Sequence, residues 1–587
     1  MSKIPRILFY VERSLHLPYL RPIQTYLDRN GLAETAYSAP PYFPGDDILP
    51  GWGLTADIIR ELQTISRFYP QPTDFDPDVT IVADACHSII PELRQVINVG
   101  HGMICKGAFY TKHPGVRREN LSELILVPGP WHKERLEENV VIPIVTTGFI
   151  KGDQLFGPQA MGRKRFCRQN SIDPEKKIVL FAPTYNPELS SIPCVQERIA
   201  EIADENTVLL IKLHNLTDES WKDMYAGLAE RYKNIHYLSD ADYSGMMHAA
   251  DLILSDVSSI FIEFILMDKP AVLVQNPRIE EFASYRPDDI EYLTRDCATV
   301  VDSADELLKA VPRELENPGR LAGVRQKYAG LLDNKRDGQS AERAGRAILD
   351  WYRGEIKYEP PKTAIVLIPE ENTDPKSLRS DLDELKNKLG DVDYEVLIWN
   401  EPLDLATEGT PGTEWFSEFG ELKEKINPAC EFILFVRGGQ KYPRNSLKWL
   451  HSHFLWNPKT GAVKAVTQRE NADAILEKME FDPSRFNNPA IVSWALLVTG
   501  MGQSVSGRPF FSSCVLCSGH ILEKLLEKPH PPVKSNIFPV LDMTVLRSGY
   551  NILLAADCYV WEKQDQASDG EKCGQTEGGG LGAHGPI

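Results

Sequence analysis

The chain has 587 residues, too many for one hydrophobic core, and its 42% apolar and 25% charged content are ordinary for a folded protein. With 83 acidic against 64 basic residues the formal charge is −19, which argues against nucleic acid or an acidic membrane surface as a bulk partner but allows a local phosphate-holding pocket. The 10 cysteines are scattered, and the one close pair, Cys514 and Cys517, lacks the second pair or the histidines of a zinc site, so the cysteines read as buried thiols.

The opening "MSKIPRILFYVERSLHLP" has only five consecutive apolar residues before Glu12 and Arg13, too few for the hydrophobic region of a signal peptide. "RILFYV" reads as a strand and "LPYLRPIQTYLDRNG" as a helix ending at Gly31. "DVTIVADA", "QVINVGHG" and "ELILVPGP" read as further buried strands, each running out into Gly, small or polar residues. "VIPIVTTGFIKGDQLF" reads as a crossover into a second series of strands, "KKIVLFAPTYN", "NTVLLIKLHNL", "NIHYLSD", "ADLILSD" and "KPAVLVQN". The helical "SAERAGRAILDWYRGE" closes that second unit. Such alternation predicts two Rossmann-like α/β lobes, 1–155 and 156–356, with parallel sheets and a ligand cleft at the strand ends.

"IKYEPPKT" reads as a linker, because adjacent prolines stop a helix. Beyond it "TAIVLIPE", "YEVLIWN" and "CEFILFV" read as strands, and Leu378, Leu382, Leu385 and Leu389 fall on one helix face. These predict a third, smaller α/β domain over 362–560, followed by a polar, Gly-rich tail, 561–587, expected to be disordered. The longest later apolar run, "AIVSWALLVTGMG", is well short of the ~20 residues of a membrane span. The expectation is a cytoplasmic protein, with peripheral docking at the inner face of the membrane left open.

The stretch "SDVSSIFIEFILMDKP" sets Asp256, Ser258 and Ser259 between a strand and an apolar helix. Two readings stay open: one of these residues caps the helix, or the two serines and the first-turn amides bind a phosphate. His101 follows a strand beside Gly102 and reads either as a proton acceptor or as a loop histidine that only hydrogen-bonds. His16 follows the first strand and reads as a packing residue, with access to the cleft as the alternative.

"DVSSIFIEFILMDKP" resembles the signature of the CDP-glycerol glycerophosphotransferases, roughly D-Y-S-S-x-x-F-D-F-x-x-x-x-K-P. It matches at Asp256, Ser258, Ser259, Phe264, Lys269 and Pro270, with Glu263 for the usual Asp and Val257 for the usual Tyr. "NVGHGMICKGAFY" is similar to the family's H-G-x-x-x-K at His101, Gly102 and Lys106. "LFAPTYNP" is similar to A-P-T-W-R at Ala182, Pro183 and Thr184, with Asn186 for Arg. "LIKLHNLT" is similar to K-x-H-P at Lys212 and His214, with Asn215 for Pro, and "TTGFIKGD" to T-G-x-P-R-x-D with Lys151 at the basic place. The resemblance covers about residues 80–350.

The resemblance implies a two-lobed GT-B fold and transfer of glycerol phosphate, or a related polyol phosphate, from a CDP-activated donor to a hydroxyl of an envelope glycan or lipid-linked acceptor. It implies His101 as general base; His214, at the end of a second-lobe strand, reads as a cation or donor that stabilises the pyrophosphate and its leaving charge. Lys106, Thr184, Lys212, Asp256, Ser258, Ser259 and Glu263 then bind substrate, and neither a cofactor nor a metal is expected. The third domain faintly resembles a GT-A nucleotide-sugar transferase. Its acidic places read "WNEP" and "VRGGQ", so it is expected to be a degenerate domain for acceptor binding or assembly, or a metal-free activity in which Arg437 replaces the cation. The alternatives at the level of function are a GT-B enzyme using a nucleotide sugar and a non-catalytic glycan-binding scaffold.

Overall fold

In the computed structural model most of the predicted apolar runs become strands of parallel sheets. The structure describes residues 3–562 apart from 46–49, 85–92, 94, 105–109, 111–113, 240–241, 372, 390–393, 401–412, 444, 468–491, 493–495, 497–502, 507–511 and 529–531. Lys106 and all but the first two residues of the expected 561–587 tail therefore lie outside the described residues. The chain divides into two compact units, Met1–Glu359 and Pro360–Ile587.

The first unit holds two sheets. Its first lobe has β1 (Arg6–Tyr10), β2 (Glu34–Ser38), a small hairpin of β3 (Phe43–Gly45) and β4 (Pro50–Trp52), β5 (Arg67–Phe68), β6 (Val79–Val82), β7 (Val96–Asn98), β8 (Leu124–Val127) and β9 (Ile144–Thr146). Seven of these form one sheet in the order β5-β2-β1-β6-β7-β8-β9, parallel throughout. The second lobe has β10 (Lys177–Phe181), β11 (Thr207–Ile211), β12 (Ile235–Tyr237), β13 (Leu252–Ser255), β14 (Ala271–Val274) and β15 (Thr299–Val301) in the parallel order β12-β11-β10-β13-β14-β15. Each sheet is doubly wound. The order reverses between β1 and β6 in one and between β10 and β13 in the other, and at such a point the loops diverge and leave a crevice.

The strands are apolar on both faces because helices cover both, and residues such as Ile7, Phe9, Leu180 and Leu254 are wholly buried. At 1.5–3 kcal/mol for each large apolar side chain, roughly, this burial is the main term holding each lobe together. Besides the small hairpin β3–β4, three strands of these two sheets escaped the sequence reading: β2 is interrupted by polar residues, and β5 and β15 are two and three residues long. The expected crossover begins as β9, the edge strand of the first sheet, before turning into the second lobe.

The largest correction concerns the helix Ser340–Tyr352, expected to close the second lobe. It returns to the first lobe and packs on the helix Leu17–Arg29, so tightly that a Cβ on Gly345 would come 2.6 Å from a ring carbon of Tyr26. Its small face, Ala341, Ala344, Gly345 and Ala347, permits that approach. The Asp153 carboxylate accepts the Ser340 and Ala341 amides at 2.9 and 2.8 Å, satisfying the start of the helix from the crossover.

The second unit is a separate α/β body around a mixed sheet of nine strands. Its parallel part is β16 (Thr363–Ile368), β17 (Tyr394–Trp399), β18 (Thr413–Phe416) and β19 (Phe432–Arg437). The rest are β20 (Gln440–Lys441), β21 (Thr460–Thr467), β22 (Ser504–Ser506), β23 (Cys514–Ser518) and β24 (Asn551–Glu562), with β23 antiparallel to both β19 and β21. The helix Pro375–Lys388 turns Leu378, Leu382 and Leu385 inward, and Leu389 just beyond it is buried with them. Cys514 and Cys517 are buried thiols that join clusters on the two opposite faces of the sheet, so they hold no common ion.

Candidate functional site

The chemistry-bearing residues collect at the two places where strand order reverses. In the first lobe β1 runs out into Glu12 and His16, β6 into Ala83 and Asp84, and the adjacent β7 into Gly100, His101 and Gly102. Gly100 and Gly102 have φ of 62° and 73°, so the backbone turns sharply on both sides of His101. The His101 side chain is 34% exposed and can meet a ligand. Its Nδ1 lies 2.8 Å from the Ala83 carbonyl oxygen, which can only accept, so Nδ1 carries the proton and Nε2 the lone pair.

His101 has a buried polar neighbourhood. The His16 ring stands 5.0 Å from it, and the same Asp84 oxygen lies 3.8 Å from His16 Nε2 and 3.9 Å from His101 Nδ1. Burial, above all, holds His16 well below the ordinary histidine pKa, so it is neutral. Burial, reinforced by Asp84, pushes Glu12 up to about 9, and burial pushes Glu119 up to about 8 although Asn98 donates to it at 2.7 Å. Two neutral carboxyls thus back the imidazole pair. The loop after His101 is pinned on both sides. The Gly102 amide bonds the Tyr19 hydroxyl, and His132 Nε2 donates to the Met103 carbonyl at 3.1 Å.

In the second lobe Thr184 leaves β10, and Asp256, Ser258 and Ser259 leave β13. Asp256 is 1% exposed, and its carboxylate accepts the Thr184 amide at 3.0 and 3.1 Å and the Ser191 amide and hydroxyl at 2.8 and 3.0 Å. The carboxylate expected to bind substrate thus ties the two loops of the crevice together. Thr184 is itself 2% exposed, so it is the position of its loop that Asp256 fixes. Ser258 stands at the N-cap of the helix Ser259–Ile265 without a side-chain capping bond, and both serines are half-buried. With seven residues that helix has a weak dipole, so anion binding there would rest on amides and hydroxyls.

His214 follows β11 and is exposed, its ring 4.6 Å from that of Tyr185. Its Nδ1 accepts the Leu216 amide at 3.1 Å, which leaves the proton on Nε2. Beside it the Lys212 ammonium donates to the Ser239 carbonyl.

The two lobes meet through charged pairs. Lys151, from the crossover, lies 2.8 Å from the Glu263 carboxylate on the helix Ser259–Ile265, and the Tyr243 hydroxyl donates to the same carboxylate. The Lys151 ammonium also sits 4.1 Å from the Tyr243 ring centroid. Glu263, expected to bind substrate, is 1% exposed, and its charge is taken up inside the protein by Lys151 and Tyr243. Its field raises the Tyr19 hydroxyl pKa after the larger effect of burial. Tyr19, which touches Gly102, is therefore close to both sides of the cleft. A second bridge joins Arg135 to Asp289 at 3.0 Å.

Tyr19, Tyr243, Asp84 and Glu12 were not recognised in the sequence. They sit in no short motif, and only the strand order brings them together. Among the described residues one cluster has the donor set of a metal site, His16, Asp84 and His101, with one ligand atom from each within 4.8 Å of the others. The second unit has its own cavity of about 1130 Å³, lined by Glu370, Trp399, Ser417, Arg437 and Lys534. There Arg437 stacks over Phe538 at 5.4 Å.

Residues 136–350 match the sequence profile of the family described as CDP-Glycerol:Poly(glycerophosphate) glycerophosphotransferase. The match takes in Lys151, Thr184, Lys212, His214, Asp256, Ser258, Ser259 and Glu263, whereas His16, Asp84 and His101 precede it. A teichoic acid glycerol-phosphate primase of Bacillus spizizenii (strain ATCC 23059 / NRRL B-14472 / W23) is 34% identical over 134 residues, 21% of this chain and 34% of that protein. One of Bacillus subtilis (strain 168) is 31% identical over 98 residues, 16% of this chain and 24% of that protein. The chain thus spans about a third or less of the length of these curated relatives. Among solved structures, that of the wall teichoic acid polymerase TagF aligns with 14% identity and a TM-score of 0.43, covering 60% of this chain and 90% of that one. A UDP-GlcNAc 2-epimerase from Neisseria meningitidis bound to UDP-GlcNAc aligns with 13% identity and a TM-score of 0.41, covering 59% and 100%. Among the described residues no helix is long and apolar enough to cross a membrane.

Proposed function

We propose that the chain, whose residues 136–350 carry the glycerophosphotransferase profile, transfers glycerol phosphate or a related polyol phosphate from a CDP-activated donor to a hydroxyl of an envelope glycan or lipid-linked acceptor. The observation that carries this reading is the opposite polarity of two imidazoles. His101 on the first lobe presents a lone pair at Nε2, and His214 on the second presents a proton at Nε2.

In the proposed reaction the acceptor hydroxyl gives its proton to His101 Nε2 as its oxygen attacks the donor phosphorus. The bond from that phosphorus to the bridging oxygen of the pyrophosphate breaks, and CMP leaves. His214 Nε2–H stabilises the charge that develops on the leaving phosphate, together with the amides and hydroxyls of Ser258 and Ser259. A base and a preorganised donor of this kind each contribute roughly 10²–10⁴-fold. Asp256 holds the crevice loops in place, and the first lobe presents the acceptor while the second takes the nucleotide. Lys212, beside His214, supplies positive charge on the nucleotide side.

The test is incubation of the full chain with CDP-glycerol and a lipid-linked glycan acceptor, followed by phosphorus NMR. The proposal expects CMP and a new phosphodiester. No CMP and no new phosphodiester from CDP-glycerol, with sugar transfer from a nucleotide sugar in a parallel incubation, would mean attack at carbon and would overturn it.

A further inference from the structure

The imidazole pair of the first lobe has a property that phosphoryl transfer does not use. His16 is wholly buried, and neither ring nitrogen has a hydrogen-bond partner among the described atoms. A buried unpaired imidazole costs free energy unless something occupies its lone pair. Facing it are the carboxylate of Asp84 and the ring of His101, with donor-atom separations of 3.8 and 3.9 Å about one shared oxygen.

Two neutral imidazoles and one carboxylate are a donor set for borderline divalent metals. Metal–nitrogen and metal–oxygen bonds of about 2.0–2.2 Å in a tetrahedron set ligand atoms roughly 3.3–3.6 Å apart. Both separations to the Asp84 oxygen would shorten by about half an ångström, and the two imidazole nitrogens, which lie within 4.8 Å of each other, would draw together by up to about 1.5 Å, to close the cluster on an ion and leave one position open.

We propose that His16, Asp84 and His101 form a binding site for one divalent transition-metal ion of the zinc type, and that its occupancy switches off His101 as a proton acceptor. The second part rests on the reading of His101 as the base. The nitrogen of His101 nearest the shared oxygen is Nδ1, which donates to Ala83. An ion taking the Nδ1 lone pair displaces that bond and sends the ring proton to Nε2. No net proton is released. The tautomer that results can donate at Nε2 but cannot accept there.

The experiment uses the full chain, freed of metal with a chelator, and titrates it with Co²⁺ followed by visible ligand-field absorption, with Zn²⁺ as competitor. One equivalent should bind. Loss of a ligand in His16→Ala or Asp84→Asn should weaken binding at least as much as the roughly 10–100-fold cost of losing an outer-shell partner. His520→Ala, which removes a surface histidine of the second unit, should leave it unchanged. Asp84 is partly exposed, so Asp84→Asn remains informative if His16→Ala does not fold. Absence of stoichiometric binding, or equal binding by wild type and Asp84→Asn, overturns the site. Zn²⁺ should inhibit transfer with the midpoint of the binding curve, and full transfer at saturation overturns the switch. A chain that binds Co²⁺ but transfers nothing from CDP-glycerol in the absence of metal would sink the base reading while leaving the site in place.

Discussion

The Lys151 ammonium lies 2.8 Å from the Glu263 carboxylate, joining the crossover from the first lobe to the helix Ser259–Ile265 at the crevice of the second. Glu263 is nearly inaccessible and Lys151 retains 22% of its side-chain exposure, so the pair is only partly solvated. Removing one member of such a pair costs more than the pair itself contributes, because the other charge remains. Glu263→Gln should lower stability by about 2–3 kcal/mol, the moderate end of the range for breaking buried pairs. The double variant Lys151→Met/Glu263→Leu should recover part of that loss, and urea denaturation of the three variants checks both expectations.

His101→Ala and His214→Ala should each lower turnover roughly 10²–10⁴-fold in a folded protein. Near-normal turnover by folded His101→Ala would remove the base assignment.

Asp256→Ala leaves two buried amides and the Ser191 hydroxyl without their acceptor. At roughly 1–3 kcal/mol for each unsatisfied buried group, the loss should reach several kcal/mol unless water enters. The loops after β10 and β13 are those that would hold the nucleotide, so KM for the donor should rise more than kcat falls. A variant with wild-type stability and KM would contradict the clamp.

Burial holds His132 down to about 4, opposed by its bonds to the Met103 and Gly129 backbone, against an ordinary value of 6.5. The unfolded chain takes up this proton before the folded one does. Its effect on stability is therefore absent above pH 6.5 and grows as pH falls toward 4, with a slope of at most ~1.4 kcal/mol per pH unit. His132→Gln should flatten that acid limb. An unchanged slope between pH 4.5 and 6.5 would show that other groups set it.

Much of the two-lobed fold was legible because parallel strands buried on both faces must be apolar throughout, and runs such as "TVLLI" admit few other readings. The edge strands β5 and β15 are too short to leave such a run. Position at a strand end was also readable for His101, His214, Thr184 and Ser258. Side-chain direction was not: Asp256 and Glu263 stand at motif positions, yet both are turned into the protein, where loop amides and a lysine meet them. His16, read mainly as a packing residue, proves to be the neighbour of His101, because β1 and β7 flank β6 in the sheet although they are distant in the chain.

The helix Ser340–Tyr352 has a final consequence. Since it comes back to lie on Leu17–Arg29, the polypeptide passes between the lobes twice, once at the crossover and once before this helix. Any opening and closing of the cleft must pivot about both passages together, which confines the movement to a narrow arc. Cutting the chain at the crossover would separate neither lobe cleanly: an excised N-terminal piece would bare the surface that Gly345 covers and would be expected to aggregate.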